Sequence, residues 1–277
     1  MKKIINYVKG IVSEFQKDNV PLLGAAQAYY YLLAIFPLAI LLLSILPYLN
    51  ISPQEAMKFM NSTLPSETAS LIEDNILELI QTPNGGLLTV GILGTLWSAS
   101  NGVNAFIQSS NIAYDVEETR SFIKVRLLSM LLTIGMIVTI AVALALPIFG
   151  EVIISTISSF LNLPEQTVVL FQVLRWVISI VVMTLSLMAL YHFAPNKTFP
   201  FKEIIPGAII TAVLWQVASL GFSFYIGNFS NYSATYGSLG GVIILMLWFF
   251  ITGIILMVGA EINVIRHRRK QRRARAA

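Results

Sequence analysis

The sequence predicts an all-α protein: a polytopic membrane bundle of six transmembrane helices, with extra amphipathic helices and both termini in the cytoplasm. Three observations predict it. Of the 277 residues, 56% are hydrophobic and only 12% charged, whereas a soluble domain carries about 25% charged residues. The apolar residues fall in long runs, and about 20 consecutive apolar residues suffice to cross a hydrocarbon core of about 30 Å. Lysine and arginine gather at 2–17, 120–126, 197–202 and 266–275, leaving only Lys58 and Arg175 of the 18 elsewhere. With six spans those four segments share one side, which the positive-inside rule makes the cytoplasm.

Residues 1–20 carry Ile4, Ile5, Val8, Ile11, Val12 and Phe15 on one helical face, with Lys2, Lys3, Lys9 and Lys17 elsewhere. Such a helix lies on an anionic membrane surface or packs beneath its own bundle. The spans follow at 21–49, 86–108, 127–149, 168–193, 204–225 and 239–265. Pro37 and Pro47 are expected to bend or end the first of them. Its Gly24 and Ala28 form a small-xxx-small pair that permits close helix contact. Residues 50–85 read as an acidic, amphipathic helical hairpin on the outer side, closed by the Pro83-Asn84-Gly85-Gly86 turn. A further amphipathic piece covers 152–161, and residues 266–277 form a basic cytoplasmic tail. The first apolar run is too long for a signal peptide and lacks a small-residue cleavage pattern, so it is expected to remain as a span.

The second span carries the main candidate site. Trp97, Asn101, Asn104, Gln108 and Asn111 recur at helical spacing within an apolar chain, which puts them on one stripe. Lipid offers an amide no hydrogen-bond partner, so the stripe must face protein or water. It either lines a polar path or bonds to neighbouring helices. A second polar face, Gln216, Ser219 and Ser223, lies on the fifth span, and Arg175 lies in the outer part of the fourth. Arg175 snorkels outward, pairs with Glu151 or Glu165, or meets an anionic substrate. Asp115, Glu117, Glu118, Arg120 and Glu261 form an inner charge cluster. In it, Glu261 is expected to pair with Arg120, Lys124 or Arg126, or to couple protons.

Without cysteine, disulfides, thiolate metal sites and cysteine nucleophiles are excluded. The two histidines, His192 and His267, stand in no HExxH-type arrangement, and no phosphate loop, nucleophile elbow or paired carboxylate occurs within a span. No catalytic site, cofactor or metal is therefore expected. The basic tail is expected to anchor on anionic lipid. Nucleic acid is not an expected partner, since no RNA-binding module accompanies the basic residues.

The blocks YYYLLAIFPLAILLL (29–43), WSASNGVNAFIQSSNIAYDVEETRSF (97–122), LYHFAPNKTFPFKEIIPGAIITAVLWQVAS (190–219) and NYSATYGSLGGVIILMLWFFITGIILMVGAEIN (231–263) resemble the YihY/BrkB family of bacterial inner-membrane proteins. Asn101, Asn104, Glu117, Glu118, Arg120, Tyr236, Gly237 and Glu261 match its pattern. The resemblance implies a six-span protein of the cytoplasmic membrane with both termini inside. That family formerly carried a ribonuclease BN label, and some members are linked to envelope lipid or solute transport. Taken with the stripe, the expected function is a transporter or lipid translocase whose cargo is a lipid or small solute. The alternatives are a membrane scaffold that docks envelope partners and, third, a membrane-bound hydrolase.

Overall fold

A computed structural model describes residues 2–45, 48, 85–139, 165–229 and 239–276, without the side chains of some helix-end residues. Seven α-helices occupy them and, among the described residues, there is no strand. They are α1 Lys2–Lys17, α2 Val20–Ile45, α3 Gly85–Ala113, α4 with Phe122–Thr139 as its described part, α5 Glu165–Phe193, α6 Phe201–Phe229 and α7 Leu239–Ala276. The outer hairpin 50–85 and the amphipathic piece 152–161 lie outside the described residues, apart from Gly85, which begins α3.

The all-α expectation holds, and the chain is a multi-pass membrane protein. Four segments are long and apolar enough to cross a bilayer: Val20–Leu41, Phe122–Thr139, Phe201–Ile226 and Gly240–Arg275. A shorter apolar segment, Val177–Phe193, lies in α5. These four and the shorter one stand where six spans are expected. The second expected span belongs to α3, a helix of 29 residues, about 43 Å long at 1.5 Å per residue. Its polar residues are what lower its hydropathy.

Several helices outrun their expected bounds, α3 and α7 the furthest with α5 and α6 extending three or four residues at an end, and α2 runs through an expected break. Pro37 lies inside α2, which continues to Ile45, as neighbouring groups in a membrane bundle can tolerate. α3 extends five residues past 108. α7 does not stop at 265: the tail residues are mostly Arg, Lys, Gln and Ala, strong helix formers, and the helix reaches Ala276.

The chain divides into two compact units, Tyr30–Ala99 on the one hand and Met1–Tyr29 with Ser100–Ala277 on the other. In the first, Gly91 of α3 lets the backbone come against Leu41 of α2, where an added Cβ would stand 3.0 Å from the Leu41 Cα. Hydroxyls there turn back onto their own helix, Ser44 to the Ile40 carbonyl at 2.6 Å and Thr89 to that of Gly85 at 2.8 Å. This satisfies a donor that lipid cannot.

In the second unit α6 packs against both α5 and α7, and α1 against α7. Its core gathers Phe106 and Ile107 of α3, Leu190 and Tyr191 of α5, Ile204, Ala208 and Ala212 of α6, and Met257, Ala260 and Val264 of α7. Tyr191 anchors it: the hydroxyl donates to the Leu256 carbonyl and meets Thr211 Oγ1, both at 2.8 Å. Both contacts need Gly259, because an added Cβ there would collide with Tyr191 OH and Thr211 Oγ1. Gly24 of α2 and Gly253 of α7 meet backbone to backbone, an added Cβ on Gly253 standing 2.9 Å from Gly24. Between the two expected placements of α1, the observed contacts are those of packing on the bundle. Tyr7 OH donates to the Ile262 carbonyl at 3.2 Å, and Gly10 lies against Ile265.

Candidate functional site

The inner half of α3 is buried on nearly every side. Ser100, Val103, Phe106, Ile107, Ser109 and Ser110 all point into the bundle. Ser109 Oγ accepts from Gln27 Nε2 of α2 at 3.4 Å while donating to the Ala105 carbonyl at 2.8 Å. One narrow strip stays open. Trp97 is 53% exposed, Asn101 and Asn104 are half-buried, Gln108 is exposed and Ile112 is 47% exposed. The helix thus buries its serine and apolar flank and turns its amides outward, beside exposed apolar side chains. Among the described residues, Asn104 and Gln108 have no hydrogen-bond partner.

Asn101 is the exception on the strip, and its partner was not foreseen. Arg126 of α4 donates from NH1 to Asn101 Oδ1 at 2.6 Å. From the sequence, Arg126 is expected at the inner boundary, as one of three candidate partners of Glu261. The structure sets its guanidinium on the strip. Asn111 departs in the other direction. It is buried, with Oδ1 accepting from the Asn196 backbone N–H at 2.7 Å and Nδ2 donating to Glu118 Oε2 at 2.9 Å. It belongs to the packing of the inner loops and not to the stripe.

The expected inner charge cluster separates into distinct groups. Glu118 and Arg120 form one: the guanidinium binds Glu118 at 2.6 and 2.8 Å and caps the end of α5 through the carbonyls of Phe193 and Ala194. Asn196 closes this clasp from the α5–α6 loop, donating to the Glu117 carbonyl and to Thr119 Oγ1. Arg120 holds the Glu118 carboxyl below the usual carboxylate range, helped by the Arg120 N–H and Asn111. Asp115 forms a second group with Lys17, at 3.2 Å, and with Arg268 of the tail.

Glu261 joins neither group, and it does not pair with Arg120, Lys124 or Arg126. It is fully buried on α7 and faces Asp18 and Glu14 of the α1 end. These three are, among the described residues, the one group of carboxylates close enough to hold a metal ion. The tail cations, expected to anchor on lipid, are partly engaged within the protein. His267 and Lys270 bind Glu203 at 2.5 and 2.6 Å, and Arg268 binds Glu14 at 2.7 Å.

On α6, Gln216 and Ser219 are half-buried and Ser223 is exposed. They lie beside the aromatic seam with α7, where Trp215 and Phe222 meet Trp248 at 5.6 and 4.9 Å. Arg175 lies in α5, and its side chain is outside the described residues. His192 is held by its Nδ1, which donates to the Phe199 carbonyl at 2.8 Å, and by stacking on Phe201.

Comparison with known proteins adds a family. The model of the family described as virulence factor BrkB matches residues 11–277. The chain is 42% identical to the putative ribonuclease-like protein YfkH of Bacillus subtilis, over 96% of this chain and 97% of the relative. It is 26% identical to a UPF0761 membrane protein of Vibrio vulnificus, over 94% of this chain and 82% of the relative. A UPF0761 membrane protein of Neisseria meningitidis is 25% identical, over 94% and 63%. No solved structure matches.

Proposed function

The chain belongs to the BrkB family of membrane proteins, and from that premise we propose that it is a lipid translocase of the cell membrane. Its cargo is an amphipath with an anionic or zwitterionic headgroup. The headgroup follows the α3 strip while the acyl chains stay in the bilayer. One observation carries the reading: beyond Asn101, which Arg126 of α4 engages, α3 leaves Asn104 and Gln108 on its open side, beside exposed Ile112, and buries its serine flank instead. An amide placed for helix packing would be consumed by a neighbouring helix. A strip that is polar along its line and apolar beside it matches a molecule that is itself polar at one end.

Arg126 supplies the charge. Its guanidinium forms planar, two-pronged hydrogen bonds with phosphate or carboxylate, and it already rests on the Asn101 carbonyl oxygen. Arrival of a phosphate would exchange that amide partner for a stronger, charged one. An enclosed aqueous route for a small solute would need the same amides covered on every side. The ribonuclease-like name belongs to the Bacillus relative, and the proposal assigns no hydrolysis to this chain. Both histidines are engaged in holding the inner loops.

Reconstitution in liposomes with fluorescent headgroup lipids tests the proposal. Accelerated exchange between leaflets is expected, with Arg126→Gln and Asn104→Leu slowing it about tenfold or more, the scale of one charge-assisted hydrogen bond of 1.5–3 kcal/mol. Folded protein that exchanges no lipid, or exchange indifferent to both substitutions, overturns it.

A further inference from the structure

Apart from the α3 strip, the inner end of the bundle holds a carboxylate group that translocation along that strip does not use. Glu14 is on the last turn of α1, Asp18 is at the corner between α1 and α2, and Glu261 comes from α7. One carboxylate oxygen of each lies within 4.8 Å of the others. The corner is built for this approach. Asn19 adopts φ of 49°, a left-handed conformation that Asn tolerates better than most residues. It ends α1 there, with Asp18 directed inward and 8% exposed.

Cations reach only the outer side of the group. Arg268 binds Glu14 Oε1 at 2.7 Å, and Lys17 stands 3.6 Å from Asp18 Oδ1 and 3.7 Å from Glu14 Oε2. Four buried oxygens are left without a hydrogen-bond donor: Glu14 Oε2, Asp18 Oδ2 and both oxygens of Glu261. Glu261 is 0% exposed, so water does not supply the missing donors from bulk. The Asp18 and Glu261 carboxyls come within hydrogen-bonding reach of each other, yet as carboxylates neither has a proton to give. Buried acceptors with no compensation are strongly unfavourable.

A single shared proton makes one hydrogen bond and satisfies two of the four oxygens. A metal ion takes one oxygen from each of the three side chains and offsets the negative charge of the whole group. The charge also fits. As carboxylates, Glu14, Asp18 and Glu261 would bring three negative charges together, while the two cations that approach Glu14 and Asp18, Lys17 and Arg268, are shared with Asp115. We propose that Glu14, Asp18 and Glu261 bind a divalent cation that fastens the α1–α2 corner to α7. An all-oxygen, all-carboxylate set selects a hard ion such as Mg2+, Ca2+ or Mn2+ over zinc. The site does not depend on what the α3 strip carries.

Mn2+ titration followed by electron paramagnetic resonance, on the full chain in phosphatidylcholine nanodiscs, tests it. One saturable Mn2+ per chain is expected, displaced by Mg2+ or Ca2+. Glu261→Gln and Asp18→Asn are expected to weaken it about tenfold or more. Asp115→Asn removes an exposed carboxylate outside the proposed ligand set and is expected to keep binding within about threefold. No binding at millimolar Mn2+ overturns the proposal, as does binding unchanged in both ligand variants, which places the ion on the surface. Should those two variants fail to fold, Glu14→Gln at the half-buried end of α1 gives the same reading. Thermal unfolding of the unaltered protein in EDTA and in Mn2+ adds a further arm, and equal melting temperatures overturn the site.

Discussion

Asp115 shows how one residue can end a helix and fasten a loop together. With φ of 50° it is the left-handed residue that closes α3, its own N–H bonding back to the Ile112 carbonyl and the Val116 N–H to that of Asn111. This is a Schellman arrangement, in which glycine is the usual occupant. The aspartate is held there by Lys17 and Arg268. Just beyond it, Glu118 lies under Arg120, whose hydrogen bonds keep its carboxyl below the ordinary value of 4.5. The sign follows directly. A carboxyl whose folded value is depressed contributes stability above its unfolded value, and that contribution disappears as pH falls through the depressed one. Thermal unfolding followed from about pH 6 down to about pH 3 is therefore expected to show a stability loss starting below about pH 4.5. Glu118→Gln is expected to be less stable at pH 6 and to have a shallower acid limb. An identical acid limb in the variant would remove Glu118 from the clasp. The sequence displayed Glu117, Glu118 and Arg120 as a charge cluster. It did not disclose that Asn196, 76 residues beyond Arg120 in the chain, completes it, because no local spacing encodes a contact between two loops.

At the scale of helices, close approach is set by glycine. Gly24 was legible as half of a small-xxx-small pair. Its counterpart Gly253 was not, since Gly253 and Gly259 stand six residues apart and match no packing motif. The structure sorts the glycines by what a methyl group would strike. At Gly253 it strikes the backbone of Gly24, whereas at Gly221 on α6 nothing lies within 4 Å. Gly253→Ala is expected to cost about 1–3 kcal/mol through overpacking against a backbone that cannot yield. Gly221→Ala is expected to be neutral or to stabilise by up to about 1 kcal/mol, as alanine favours the helix. Denaturation of the two variants side by side in detergent checks this. Equal effects would mean that the α2–α7 crossing is not a tight contact. Helix periodicity likewise revealed the α3 amides as one stripe, but periodicity states only which residues share a face. Which face the bundle buries depends on Phe106, Ile107 and Tyr191 finding each other across α3 and α5, and that is a tertiary fact.

For the whole molecule, composition and charge were sufficient for the class. An apolar chain whose cations fall in four segments is a multi-pass membrane protein with those segments on one side. Charge counting could not say how the cations are used. The tail reads as a lipid anchor, yet α7 carries it on as a helix that neutralises Glu14, Asp115 and Glu203 of three other segments. A net charge of +4 therefore understates how much of the basic character is internal. Glu261 was expected to meet a cation and meets two acids instead, because residues adjacent on a topology diagram need not be adjacent in the bundle.

The central claim is that the inner half of α3 is open along Asn104, Gln108 and Ile112 and closed elsewhere. The chain has no cysteine, so single replacements can be read without removing native thiols. Cysteine at Asn104 or Gln108 is expected to react with a charged, water-soluble thiol reagent in membrane vesicles, whereas cysteine at Ser100, which is 0% exposed, stays protected. Protection at Asn104 and Gln108 as complete as that at Ser100 would contradict the account and leave α3 a packed helix.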